Sequence, residues 1–222
     1  MTVIDTMHNI FSRNPRVLVL APHTDDAELG CGGTVARLLA SGAEVSVATF
    51  SVAEETLPPG SAPDRLYHEF MCAMQILGVD ADRTFVFRYP VRRFSDHRQK
   101  LLDELIQLKR QLEPEVVFVT AGTDIHQDHQ VLHGEAVRAF KDTTLWGYEL
   151  PWNSLSFSAQ AFVTLDQVHI DRKWASLQAY ESQMELQRPY FNKEVVYGLA
   201  RVRGVQVRAE FAEVFEVVRV KW

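Results

Sequence analysis

Short, apolar, β-branched runs alternate with helical segments along most of this chain, and that alternation constrains its fold more than any other feature. The run at 16–21, Arg16-Val-Leu-Val-Leu-Ala21, suits a strand buried on both faces. Residues 34–41 read as a helix with Gly42 as its stop. A second strand follows at 44–50, then a polar loop at 51–63 holding Pro58, Pro59, Gly60 and Pro63. Helical spacing at 64–77 ends at Gly78. Residues 84–87 form a third strand, 101–112 an amphipathic helix stopped before Pro114, and 116–120 another buried strand. A polar loop spans 122–130, and a helix starts at 129–140. This rhythm predicts an α/β fold in three layers, a mostly parallel sheet with helices on both faces. The later part is less regular: a strand and turn at 146–151, a helix at 166–180 and a terminal strand at 210–220. With no linker, repeat or low-complexity segment, residues 1–222 are expected to form a single domain.

Composition excludes some function classes. The 222 residues are 46% hydrophobic and 23% charged, which is ordinary globular usage. A formal net charge of −6 argues against a nucleic-acid footprint, which needs a clustered basic face. Cys31 and Cys72 form neither a CxxC pair nor a disulfide framework, and read as reduced thiols of a cytoplasmic protein. Residues 1–11 lack the apolar core of a signal peptide. No apolar run approaches the ~20 residues of a membrane helix. The expectation is a soluble cytoplasmic protein with no membrane or nucleic-acid partner. A homo-oligomer stays open.

Open parallel sheets bind ligands at the carboxyl ends of their strands, where strand order reverses. Two loops lie at such ends and hold the unusual polar residues. The first reads Ala21-Pro-His-Thr-Asp-Asp-Ala-Glu-Leu-Gly-Cys-Gly-Gly33. Adjacent carboxylates repel in a tight loop unless a positive charge sits nearby, and a divalent cation is the simplest compensator. His23 and Asp26, three apart, can turn toward one ion, leaving Asp25 free as a base. The bland alternative is a helix start, where Asp and Glu suit the dipole and the cap. The glycines depart from GxGxxG, so they are expected to allow close packing or offer amides to a ligand.

The second loop reads Thr120-Ala-Gly-Thr-Asp-Ile-His-Gln-Asp-His-Gln130. Three protein ligands plus an open position is the usual catalytic zinc arrangement, and His23, Asp26 and His129 meet that count. His126 is then a second functional group whose ring Asp128 can orient. His133, one turn on from His129, is expected to be structural or to stand behind the ligands. Tyr148, Glu149, Trp152 and Asn153 follow a strand; they can line a sugar site or pack on the core. Arg92 and Arg93 are read as solvated surface arginines.

Together, His23-Thr-Asp-Asp-Ala-Glu28 with Gly32-Gly33, and His126-Gln-Asp-His129, make the chain resemble the PIG-L (LmbE-like) de-N-acetylase superfamily. The pattern Arg65-x-x-x-Glu69-x-x-x-Ala73-x-x-x-Leu77-Gly78 matches a helix of many members. Lys173, Ser182-Gln183 and the segment around Gly198–Phe211 look like the family's C-terminal region. The resemblance implies a Rossmann-like fold and a zinc-dependent deacetylase, with another divalent metal such as Fe2+ as an alternative, acting on a small N-acetylated sugar. It implies His23, Asp26 and His129 as metal ligands and Asp25 as general base. It also implies His126, protonated, as general acid or oxyanion stabiliser with Asp128 behind it, and Arg65 as a substrate contact. Thr24 replaces the commoner proline, and Tyr180 stands where many members have His. Two rival readings are a phosphoesterase-like metal hydrolase and a non-catalytic sugar- or nucleotide-binding module.

Overall fold

Side chains of β1 (Arg16–His23) alternate between two cores, as a strand buried on both faces must. Val17, Val19 and Ala21 enter one apolar cluster, while Leu18 and Leu20 enter the other. Each of those leucines is fully buried, worth about 1.5–3 kcal/mol apiece. The computed structural model describes residues 14–221, so the reading of residues 1–11 lies outside the described residues.

Around β1 lie α1 (Asp26–Ala40), β2 (Glu44–Ser51), α2 (Arg65–Leu77), β3 (Thr84–Val86), α3 (Arg98–Leu112), β4 (Val116–Thr120), α4 (Gln127–Ala139) and β5 (Thr144–Tyr148). Then come β6 (Ala161–Leu165), α5 (Gln167–Leu177), α6 (Glu181–Glu185), α7 (Lys193–Gln206) and β7 (Phe211–Arg219). The sheet order is β3-β2-β1-β4-β5-β7-β6. The pairs from β3 to β5 are parallel, and β7 runs antiparallel to both β5 and β6. Residues of α1, α2, α5 and α7 pack on one face, and those of α3 and α4 on the other. The α/β class and the helices on both faces are thus as the strand rhythm predicts. Strand order reverses between β1 and β4, so their carboxyl ends flank the crevice. Among the described residues, no helix is long and apolar enough to cross a membrane.

The glycine segment departs from expectation. Instead of a loop before a helix at 34–41, helical turns begin at Asp26, and α1 is interrupted by a kink at Cys31 (φ −143°, ψ 20°). A Cβ on Gly30 would fall 2.1 Å from the Tyr148 ring, and one on Gly33 2.5 Å from Leu165. Close packing therefore requires these glycines despite their poor helix propensity. A buried ion pair stitches the kink. Lys173 Nζ donates to Glu213 (2.6 Å) and to the Leu29 carbonyl (2.8 Å). Glu213 accepts from the Gly33 and Thr34 amides beyond the kink (3.0 and 2.6 Å). The interrupted helix thus has its orphan groups satisfied.

Candidate metal centre

β1 delivers His23 to the crevice, and α1 begins three residues later. The Asp26 carboxylate accepts from the His23 amide (2.9 Å), fixing the turn between them. Asp25 is the N-cap of α1 by backbone, its carbonyl accepting from Leu29 N (3.0 Å). Its side chain makes no cap hydrogen bond and instead lines a cavity with His23, Asp26, His126 and His129. Capping therefore does not account for Asp25. The cavity has a volume of about 320 Å³.

β4 delivers the second loop. Asp124 Oδ1 accepts from the His126 amide (2.8 Å), and Asp124 Oδ2 lies 2.7 Å from His129 Nδ1. His126 caps α4, its Nδ1 accepting from the Asp128 amide (3.2 Å). The Asp128 carboxylate reaches across to His23 Nε2 (3.1 Å) and accepts from the Arg92 amide (2.6 Å).

Three atoms then face one another. His23 Nδ1 is 3.1 Å from Asp26 Oδ2, His129 Nε2 is 3.2 Å from Asp26 Oδ2, and the two imidazole nitrogens are 3.2 Å apart. Ligands about 2.0–2.2 Å from a tetrahedral zinc stand roughly 3.3–3.5 Å from one another, so this triangle fits a zinc-sized cation. Each imidazole also has a carboxylate on its far nitrogen: Asp128 behind His23 and Asp124 behind His129. Such partners fix the tautomer and raise the basicity of the facing nitrogen. A looser grouping of His23, His126 and His129 has its ligand atoms within 4.8 Å. The triangle with Asp26 is the tighter of the two candidate sets, its facing atoms 3.1–3.2 Å apart.

Electrostatics point the same way. Burial lowers the proton affinity of His129, but the Asp26 and Asp124 carboxylates outweigh it and push the ring up to about 10. Burial opposes ionisation of Asp26, yet the His129 and His23 rings hold its pKa well below the usual carboxylate range. These are groups arranged to hold positive charge, and a metal ion competes for the same lone pairs. Burial and the neighbouring Asp26 raise Asp25 to about 6. Burial, with His129 and His23 nearby, lowers His126 to about 4.

Several expectations need correction. Asp128 does not hold the His126 ring by its carboxylate; it touches that ring only through its amide, and its carboxylate orients His23. With Nδ1 accepting, His126 is a neutral ring carrying its hydrogen on Nε2, so the imidazolium expectation is revised. Arg65 is absent from the cavity wall; Glu69 and Glu185 hold its guanidinium (2.9 and 2.7 Å). Arg92 and Arg93 are both exposed, as expected; Arg92 stands at the rim of the cavity and Arg93 pairs with Asp96. Trp152 and Asn153 line the cavity, but Tyr148 is fully buried and donates to the Leu20 carbonyl, and Glu149 pairs with Arg203. His133 donates to the Thr120 carbonyl (2.8 Å), a structural role. Sequence reasoning missed Asp124, Gln183, Arg188 and Tyr190. Asp124 carried a local signal, an acid two residues before His126; Arg188 and Tyr190 lie in an irregular segment with no periodicity to read.

Comparisons with known proteins show the family and the fold. The family model described as PIG-L, GlcNAc-PI de-N-acetylase, matches residues 18–140. The uncharacterized deacetylase YaiS of Escherichia coli (strain K12) is 28% identical over 177 residues, covering 75% of this chain and 90% of that one. A 1D-myo-inositol 2-acetamido-2-deoxy-alpha-D-glucopyranoside deacetylase of Actinosynnema mirum is 30% identical over 148 residues, covering 54% of this chain and 52% of its own. The match thus spans about half the length of that relative. The crystal structure of the conserved protein TT1542 from Thermus thermophilus superposes with a TM-score of 0.79 at 26% identity, covering 94% of this chain and 96% of that one.

Proposed function

Since the chain belongs to the PIG-L de-N-acetylase family, we propose that it hydrolyses the acetamide of an N-acetylated sugar with one zinc ion held by His23, Asp26 and His129. The observation that carries this reading is the triangle of 3.1–3.2 Å edges, with a carboxylate behind each imidazole. Two imidazoles and one carboxylate are a donor set that suits zinc and ferrous iron alike. The deacetylase activity named for the relatives supports the reaction class.

His23, Asp26 and His129 would hold the zinc, which would act as a Lewis acid toward the amide carbonyl and would make the attacking water more acidic, with a pKa of about 7. Asp25, at the cavity wall and free of capping duty, takes the proton from that water. General-base help of this kind is worth about 10²–10⁴-fold. His126 presents a neutral Nε2–H to the carbonyl oxygen as charge develops, its Nδ1 pinned by the Asp128 amide. Asp25, once protonated, returns the proton to the leaving nitrogen, and acetate and a free amino sugar depart. Asp124 and Asp128 hold the ligand rings and do not touch the substrate.

A panel of N-acetylated sugars and glycoconjugates, scored for primary amine and acetate with and without chelator, tests the reading. The expected result is equimolar amine and acetate, abolished by chelator and restored by zinc, with one metal ion per chain. Two ions per chain would favour a phosphoesterase-like site. Metal bound without acetate release from any sugar would favour a binding module.

A further inference from the structure

The sequence singles out Arg65, Glu69 and Ser182, yet neither the metal triangle nor the proposed chemistry uses them. In the structure they belong to one run of contacts that ends on the first loop. Arg65 Nε donates to Glu69 Oε1 (2.9 Å). Glu69 accepts from the Ser182 amide (2.9 Å) and from the Ser182 hydroxyl (2.5 Å). Two residues before Ser182, the Tyr180 hydroxyl donates to the Thr24 carbonyl (2.5 Å) and lies 2.6 Å from Glu28 Oε1. Tyr180 and Ser182 are fully buried, and the Tyr180 ring meets Phe191 edge-on (centroids 6.4 Å apart, planes at 85°). Tyr180 is absent from the cavity wall.

The Thr24 carbonyl needs such a partner. Thr24 is buried, and the hydrogen-bond ladder of α1 starts one residue later, where Leu29 N donates to the Asp25 carbonyl (3.0 Å). A buried carbonyl outside a ladder takes its hydrogen bond from elsewhere. Here the donor comes from 156 positions along the chain. The bond has a geometric consequence. The Thr24 carbonyl and the Asp25 amide share one rigid plane, so fixing the carbonyl fixes the backbone entering Asp25. On the far side Leu29 holds the Asp25 carbonyl, and on the near side Asp26 holds the His23 amide (2.9 Å). The Asp25 side chain makes no cap hydrogen bond, so this clamped backbone is what aims its carboxylate into the cavity.

We infer that Tyr180 is a positioning residue: its hydroxyl holds the Thr24–Asp25 peptide so that the Asp25 carboxylate points at the attacking water. The inference rests on the deacetylase reading and adds to it a residue outside the cavity. Arg65 and Glu69 brace the same segment from outside, through Ser182.

Tyr180→Phe removes the hydroxyl and keeps the ring. In the zinc-loaded protein, on the best substrate of the sugar panel, kcat is expected to fall by about tenfold to 10²-fold while KM changes little, the loss that a base displaced by about 1 Å brings. Zinc content per chain stays that of the unsubstituted protein. The same substitution is then made in the Asp25→Asn protein. With the base gone, Tyr180→Phe should take nothing further from the residual turnover, because residues that act as a unit are not additive. Equal losses in both backgrounds mark an independent structural role and overturn the inference. An unchanged kcat, or zinc lost from Tyr180→Phe, overturns it as well. If Tyr180→Phe does not fold, Ser182→Ala carries the same test: a smaller loss of kcat, absent in the Asp25→Asn background, upholds the inference, and any other pattern overturns it. If no sugar is hydrolysed, the deacetylase reading fails, and crystal structures decide the inference separately. An Asp25 carboxylate displaced in Tyr180→Phe upholds it; one that superposes on its place in the unsubstituted protein overturns it.

Discussion

Two clusters of buried charge lie along the first half of α1, and they are built to opposite ends. At the kink, Lys173 and Glu213 form a closed unit: one cation, one anion, and three backbone groups bonded to them. Both side chains are about 95% shielded, and nothing is missing. At the start of the helix, three carboxylates, Asp26, Asp124 and Asp128, surround two imidazoles, His23 and His129, with Asp25 beside them. That unit is short of positive charge and opens on a cavity. On the proposed reading, the difference separates a charge cluster that holds a fold from one built to take a metal ion. The first satisfies itself, while the second satisfies its outer atoms and leaves its inner atoms facing one another.

Three substitutions break or sharpen this contrast. The largest effect is expected from Asp25→Asn, which should retain zinc while turnover falls by about 10²–10⁴-fold. Metal analysis of the purified variant decides the matter: an empty site would place Asp25 among the ligands and remove it as base. Next, Lys173→Met leaves Glu213 buried without its cation, which costs about 3–5 kcal/mol. At about 2–4 °C per kcal/mol for a chain of this size, Tm should fall by on the order of 10 °C. Metal content per folded chain should not change, and pairing the change with Glu213→Leu should recover part of the stability. A Lys173→Met protein with unaltered Tm would mean the kink needs no ion pair. The smallest effect is expected from Asp124→Asn, which keeps the shape but weakens the hold on His129 Nδ1. Zinc affinity should drop by about 10–100-fold, and the metal-free protein should lose some stability as well, since the buried His129 ring loses one of its two carboxylates. Competition with a chromophoric chelator measures it, and an unchanged affinity would show that Asp124 does not tune the ligand.

The fold was legible where local pattern and burial agree. Strands β1, β2 and β4, buried on both faces, announce themselves as apolar runs, and α3 by its spacing. Three elements were not legible, among them the five-residue α6. β6 is short and partly exposed, with only Val163 and Leu165 fully inside. α7 carries Val195, Val202 and Val205 on its exposed side, which blurs its period. The glycines of α1 read as a break because helix propensity is local, whereas the reason for them is the Tyr148 ring and Leu165 arriving from distant strands.

Taken alone, the sequence determined the alternation of layers, the two polar loops at strand ends, and the residue types able to hold a metal. These follow from short-range periodicity and from the chemistry of single side chains. Only the tertiary structure decided which carboxylate backs which imidazole: Asp124 on His129, and Asp128 on His23 across 105 positions. It also decided that Arg65 is spent on Glu69 and Glu185 while Arg188 faces the cavity. Those outcomes depend on side-chain direction between elements remote in the chain, which no local spacing encodes.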